Sequence, residues 1–249
     1  VEARVADNQE MMRLILAAYD DPARRELFYS ANGAETGSER LNRAAGWDWT
    51  PQPSRGVGGA STCMFALAMG CPPRATSEGK EWVAPRITDP AQVRDLPVPD
   101  VREGRTGQVL RDLAAAAAQL APGERLREPD IQSPFGVAEL MWGQPFYVAL
   151  LEHPREVHEL LEKITAFIIS FIREVRRVAG ERLNAAGFPL IWADEHGTML
   201  SDDSMSLLSP AMHREFSLPY VNRIAEACGP LFYHSCTWRR QYFPNLHDV

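Results

Sequence analysis

The chain has 249 residues, 45% of them hydrophobic and 24% charged, the composition of a globular protein able to bury a sizeable core. Its net charge is −7 with a pI near 5.4, and its 26 lysines and arginines are scattered, which argues against nucleic acid and anionic membranes as partners. No apolar stretch reaches the roughly 18 residues of a membrane span, the first residues do not read as a signal peptide, and four widely spaced cysteines make no disulfide framework, so a cytoplasmic protein is expected.

Residues 7–19 carry Met11, Met12, Leu14, Ile15, Leu16 and Tyr19, which predict an opening helix that stops before Asp20-Asp21-Pro22. From Gly33 to Pro99 glycine and proline are frequent, as in "GWDWTPQPSRGVGG" (46–59), so sparse regular structure is expected in a long cap or loop. "GVGG" (56–59) lacks the flanking strand and helix of a phosphate loop. The alanine run 114–118 belongs to a helix predicted over 107–120 and ended by Pro122-Gly123. "PDIQSPFGVAELMWG" (129–143) reads as a strand end, a turn at Ser133-Pro134 and a short helix.

The clearest helix is predicted over 154–179. Pro154 sits in its first turn, Val157, Leu160, Leu161, Ile164, Phe167, Ile168, Phe171, Ile172 and Val175 recur at helical spacing, and Gly180 follows. "FPLIWADE" (188–195) is a short apolar run ending in acids, the pattern of a buried parallel strand whose C-terminal end opens into a site. Ser209-Pro210 starts a helix that runs to about Cys228 with an interruption near Pro219, and "PLFYHSC" (230–236) is the next strand. Strands alternating with helices point to a parallel α/β architecture, and a (β/α) barrel would place its site at the C-terminal strand ends. An open doubly wound sheet gives the same local pattern.

Side chains alternate across a strand, so His234 and Cys236 share one face while Tyr233 and Ser235 share the other. Zinc accepts imidazole and thiolate together, and a catalytic zinc takes three protein ligands. The alternative is a hydrogen-bonded strand-end histidine beside a small buried cysteine. In "WADEHG" (192–197), Asp194, Glu195 and His196 sit at the end of a neighbouring predicted strand. A carboxylate there could ligate zinc, orient His234 or act as a general acid or base; it could also be a solvated loop acid. Ser201-Asp202-Asp203 is expected in the loop leading to the Ser209 cap, and Gln132, Ser133 and Pro134 could line the same mouth. Cys228 is expected to be packed, Cys63 and Cys71 are spaced too widely for a metal knuckle, and Trp47 and Trp49 could close over a site or simply anchor packing.

Taken in order, "DIQSPFGVAELMWG", the helix beginning "HPREVHELL", the acids before "SDDSMSLLSPAMHREFSLPYVNRI", and "FYHSC" resemble the uroporphyrinogen decarboxylase superfamily over roughly 85–249. Within it they look most like the branch containing corrinoid-dependent methyltransferases. The resemblance implies an α/β fold, a (β/α)8 TIM barrel of the uroporphyrinogen decarboxylase type. A single barrel domain would span 1–249, with 1–100 as the N-terminal helix and Pro/Gly-rich segment and 101–249 as βα units. In that branch a His-x-Cys pair and a distant later cysteine hold zinc. The pair matches His234 and Cys236; the later cysteine has no counterpart before Val249, so the barrel is expected to be incomplete at the C-terminus of this chain.

The same resemblance implies zinc and a corrinoid (cobamide) as cofactors, the corrinoid carried by a partner protein and exchanging a methyl group with a thiol or other small acceptor. Glu195 is the first choice for a catalytic acid and a further zinc ligand, Asp194 the second, and Gln132 and His196 are the expected cofactor contacts. A homodimer would be in keeping with the resemblance, although no stripe in the sequence marks an interface. Two other readings stay open: a cofactor-independent decarboxylase of uroporphyrinogen or a related carboxylated substrate, and a non-catalytic barrel that binds a corrinoid or a partner. The decarboxylases' opening Arg-Gln-Ala-Gly-Arg motif and tetrapyrrole-binding aspartate have no match in residues 1–70, which ranks the methyltransferase first.

Overall fold

A computed structural model describes residues 54–184, 198–229, 231–235, 241, 242 and 245. The helix predicted at 7–19, Trp47 and Trp49, and the strand predicted at 188–195 lie outside the described residues. In chain order the elements are β1 (Ser54–Arg55), α1 (Met64–Ala68), β2 (Pro73–Ala75), β3 (Glu81–Val83), α2 (Gly104–Ala117) and β4 (Arg125–Arg127). There follow α3 (Pro134–Trp142), α4 (Phe146–Glu152), α5 (Pro154–Ala179), β5 (Leu183–Asn184) and β6 (Thr198–Ser201). The last are α6 (Pro210–Phe216), α7 (Leu218–Cys228) and β7 (Leu231–His234).

Helix α5 forms over the predicted span, because its apolar stripe is continuous and both ends carry stop signals: Pro154 in the first turn, and Gly180 with φ 56° after the last. Val157, Leu160, Ile164, Phe167, Phe171 and Val175 are fully buried, and the stripe is covered by α2, α3, α4 and α7. Phe65 of α1 meets Phe167 and Phe171 edge-on, with ring centroids 5.9 and 5.2 Å apart, the favourable aromatic geometry. Ser133 caps α3 by accepting the Gly136 N–H at 2.9 Å, and Ser209 caps α6 by accepting the Met212 N–H at 3.2 Å. Gly143 ends α3 at φ 73°, where a Cβ would also lie 2.8 Å from Pro85, so only glycine fits that corner.

The strands are parallel apart from the β2–β3 hairpin. β4 lies between β1 and β5, and β6 pairs with β7 in the register Thr198↔Leu231 to Ser201↔His234. Past β4 the chain stays extended and meets β6 through a parallel bridge between Gln132 and Ser201. Parallel strands with helices packed outside them make part of a barrel wall; among the described residues that wall is incomplete.

Three expectations change in detail. The helix predicted from Ser209 to Cys228 is two helices broken at Ser217, with Pro219 in the first turn of α7, where proline needs no N–H. The segment expected to be sparse holds a hairpin, β2–β3, whose turn uses Gly79 at φ 76°. Residues 198–201 form a strand that sequence periodicity did not indicate. Among the described residues no helix is long and apolar enough to cross a membrane.

Because Phe171 is fully buried against Phe65, Phe171→Ala should destabilise the fold by about 3–5 kcal/mol. Urea unfolding followed by circular dichroism should show the midpoint fall with little change in slope.

Candidate active site at the strand ends

Strand β6 is the centre of the site because it is hydrogen-bonded on both sides. Ser201 N–H donates to Ile131 C=O at 2.8 Å and Ser133 N–H donates to Ser201 C=O at 2.7 Å, while Asp202 N–H donates to His234 C=O at 2.8 Å. Residues level with one another in a parallel sheet share a face, so Gln132, Ser201 and His234 look the same way, and Asp130, two residues before Gln132, joins them. Gln132 Nε2 donates to Asp130 Oδ2 at 2.9 Å, and Ser201 Oγ donates to Asp130 Oδ1 at 3.1 Å. Burial raises the Asp130 carboxyl above its ordinary range, with these two hydrogen bonds opposing the shift. Burial also lowers the His234 imidazole, against the charges of Asp203 and Asp130, so the ring stays largely uncharged at neutral pH. An uncharged imidazole beside carboxylates can ligate a metal, accept a proton or orient a polar substrate.

The opposite face of β7 carries Tyr233, which is turned toward α6 and α7. Tyr233 O–H donates to Asp202 Oδ2 at 2.6 Å, and Ser217 O–H donates to the same oxygen at 2.8 Å. Asp202 is fully buried, and its carboxyl is raised by that burial while the Tyr233, Ser217 and Ser133 hydroxyls and the Met205 amide pull the other way. A second buried acid, Glu128, ties the chain past β4 to the start of β6. It accepts the Thr198 hydroxyl and, at 2.9 Å, the Met199 N–H, and desolvation pushes it up to about 7.

Of the residues singled out in the sequence, Gln132 and His234 stand together at this mouth. Cys236, Asp194, Glu195 and His196 lie outside the described residues. Ser201-Asp202-Asp203 is not simply a loop: Ser201 ends β6 on the mouth face, Asp202 is a buried structural acid, and only Asp203 is exposed. The described strand beside β7 is thus β6, and the acids at its end are Asp202 and Asp203. Asp130 was legible only as the residue two before Gln132, the spacing that puts both on one face of an extended segment. Among the described residues no three His, Cys, Asp or Glu side chains are grouped to hold a metal ion. Cys228 is packed as expected, and burial pushes the Cys63 and Cys71 thiols up to about 11, which makes both poor nucleophiles.

Comparison with known proteins adds the family. The family model for uroporphyrinogen decarboxylase (URO-D) matches residues 60–248. A solved structure of a methyltransferase from Methanosarcina mazei aligns with a TM-score of 0.58 and 14% sequence identity, over 90% of this chain and 61% of that one. The chain therefore spans less than two thirds of that protein's length, and the likeness fixes the fold as TIM-barrel-like α/β. No curated protein is matched by the chain.

Glu128 sets a pH dependence of stability. Its folded-state pKa, about 7, lies above the ordinary value of 4.5, so the folded form binds the proton more tightly than the unfolded chain. The stability this contributes is complete below pH 4.5 and is lost as pH rises through about 7. Unfolding free energies of wild type and Glu128→Gln measured from pH 4.5 to 8 should converge at low pH. They should separate by about 3 kcal/mol in favour of the variant at high pH, by linkage.

Proposed function

Because the chain belongs to the uroporphyrinogen decarboxylase family, we propose that it is a zinc-dependent methyltransferase moving a methyl group between a corrinoid and a thiol or other small acceptor. The observation that carries this reading is His234, an uncharged imidazole at the C-terminal end of a parallel strand, with Asp130, Gln132 and Ser201 on the same face. Members of the family are enzymes, and a protein named as a methyltransferase shares the fold.

The donors fit zinc in kind. His234 offers a lone pair rather than a positive charge, and carboxylates face it; Cys236 would supply the thiolate of the pair and Glu195 a carboxylate ligand. Zinc, when bound, holds a thiol as the thiolate at neutral pH, and the thiolate is the nucleophile that methyl transfer requires. The chain's own residues do the rest. Asp130, raised by burial, is the base we assign to take the acceptor's proton at a carboxylate oxygen, with Glu195 or Asp194 as the acid from the neighbouring loop. Gln132, its amide nitrogen committed to Asp130, would turn its amide oxygen to the corrinoid or the acceptor, and His196 would be a second contact. The corrinoid would arrive on a partner protein, and the enzyme would work in the cytoplasm as a homodimer.

Purified protein should carry stoichiometric zinc, and His234→Ala/Cys236→Ala should lose it while keeping its circular dichroism. Methyl transfer from methylcobalamin to a small thiol should fall at least about 100-fold in that variant. Wild type that contains no zinc and releases carbon dioxide from a carboxylated tetrapyrrole would replace this reading with the decarboxylase. Wild type that binds methylcobalamin with no turnover would replace it with a binding barrel. Asp130→Asn should retain zinc but lower kcat by about 100-fold, measured in the same assay.

A further inference from the structure

His234 sits on a strand whose other face is locked by a directed chain of hydrogen bonds. His213 is fully buried, and burial, aided by the Arg214 charge, lowers its imidazole to about 4, so the ring is neutral. Asn245 Nδ2 lies 3.1 Å from His213 Nδ1, and because that amide nitrogen can only donate, Nδ1 is the acceptor and the ring proton belongs on Nε2. His213 Nε2–H then faces Tyr233 Oη at 3.3 Å, with the two rings parallel at 5°. Tyr233 O–H donates to Asp202 Oδ2 at 2.6 Å, and Ser217 donates to the same atom at 2.8 Å. Each donor leaves the next oxygen or nitrogen only one role, so the chain has a single direction and its members polarise one another.

The chain ends on the backbone of the candidate ligand. Asp202, which collects the donors, also gives its N–H to His234 C=O at 2.8 Å. Asn245 in turn is held by Arg214, which donates to its amide oxygen at 2.7 Å, and by its own bond to Pro210 C=O at 2.9 Å. The network therefore runs from α6, through the α6–α7 break at Ser217, to residues 233 and 234 of β7.

We infer that Asp202 and Tyr233 are positioning residues for His234: the buried Asn245–His213–Tyr233–Asp202 chain fixes the end of β7 so that the imidazole is presented at the mouth in one orientation. This rests on the zinc reading above. A structural role alone would lower stability; a positioning role also lowers metal affinity, because partners that orient a ligand are worth roughly 10–100-fold in binding.

The test is zinc affinity, measured by competition with a chromophoric chelator, alongside urea unfolding. Tyr233→Phe removes one hydroxyl from the network, and Ser217→Ala removes the other donor to the same carboxylate oxygen and stands in should Tyr233→Phe fail to fold. Thr165→Val is the control, since it deletes a fully buried hydroxyl bonded to Leu161 C=O at 2.6 Å inside α5, away from the site. Tyr233→Phe and Ser217→Ala should weaken zinc binding at least about tenfold, while Thr165→Val destabilises the fold and leaves the affinity within about twofold. Equal affinities in all three folded variants and wild type would overturn the positioning role while leaving the zinc reading intact. Wild type that takes up no zinc would overturn both.

Discussion

The main-chain hydrogen bonds on the two sides of β6 are the constraint on which the site depends. Ser201 is held to Ile131 and Ser133 on one side, and Asp202 to His234 on the other, so three separate stretches of chain share one register. A shift of one residue would send Ser201 and His234 to the helix side and Tyr233 to the mouth. Register here is therefore also site assembly. What prevents the shift is the difference between the two faces: Leu200 and Ile131 are fully buried in the core, and Tyr233 is committed to Asp202.

The buried acids show how the same residue type serves different ends. Glu128, Asp130 and Asp202 are all raised by desolvation, and all are met by donors. Hydrogen bonds to a charged group contribute about 1.5–3 kcal/mol each, enough to offset part of the burial cost but not to abolish the shift. Glu128 accepts from both Thr198 and Met199 as a strand-to-strand tie, and Asp202 accepts the Tyr233 and Ser217 hydroxyls on Oδ2 as a strand-to-helix tie. Asp130 differs because its hydrogen-bond partners Gln132 and Ser201 lie on the same face as His234, so its desolvated carboxyl shares that face with the imidazole. That is the combination expected of a group that handles protons.

Much of this was readable from the chain, and the reasons are local. Helix α5 announces itself because an apolar stripe along its 26 residues, a starting proline and a closing glycine all agree. The opposed faces of Tyr233 and His234 follow from strand alternation alone, and the contacts of Tyr233 with Ser217 and Asp202 bear it out. Strand β6 was missed for an equally physical reason. Its four residues, Thr198 to Ser201, are all buried, so they show no alternation, and two acids follow that read as a loop. Nor can local pattern show that Asp202 is a buried anchor, because its donors come from β7 and from the α6–α7 break, 31 and 15 residues away.

The division of β7 into two faces puts the proposed ligand His234 on one side and ties the other, through Tyr233, to the helices. At the end of β7 the Asp202 N–H donates to the His234 carbonyl, and Asp202 Oδ2 accepts hydroxyls from Tyr233 of β7 and from Ser217 at the break between α6 and α7. The break at Ser217 is thus not a defect in an otherwise continuous helix. Ser217, at the junction of the two helices, brings its hydroxyl to the buried carboxylate. The cost of a helix interruption and of a buried acid is accepted at one point of the fold, and the return is an imidazole whose place is set from behind.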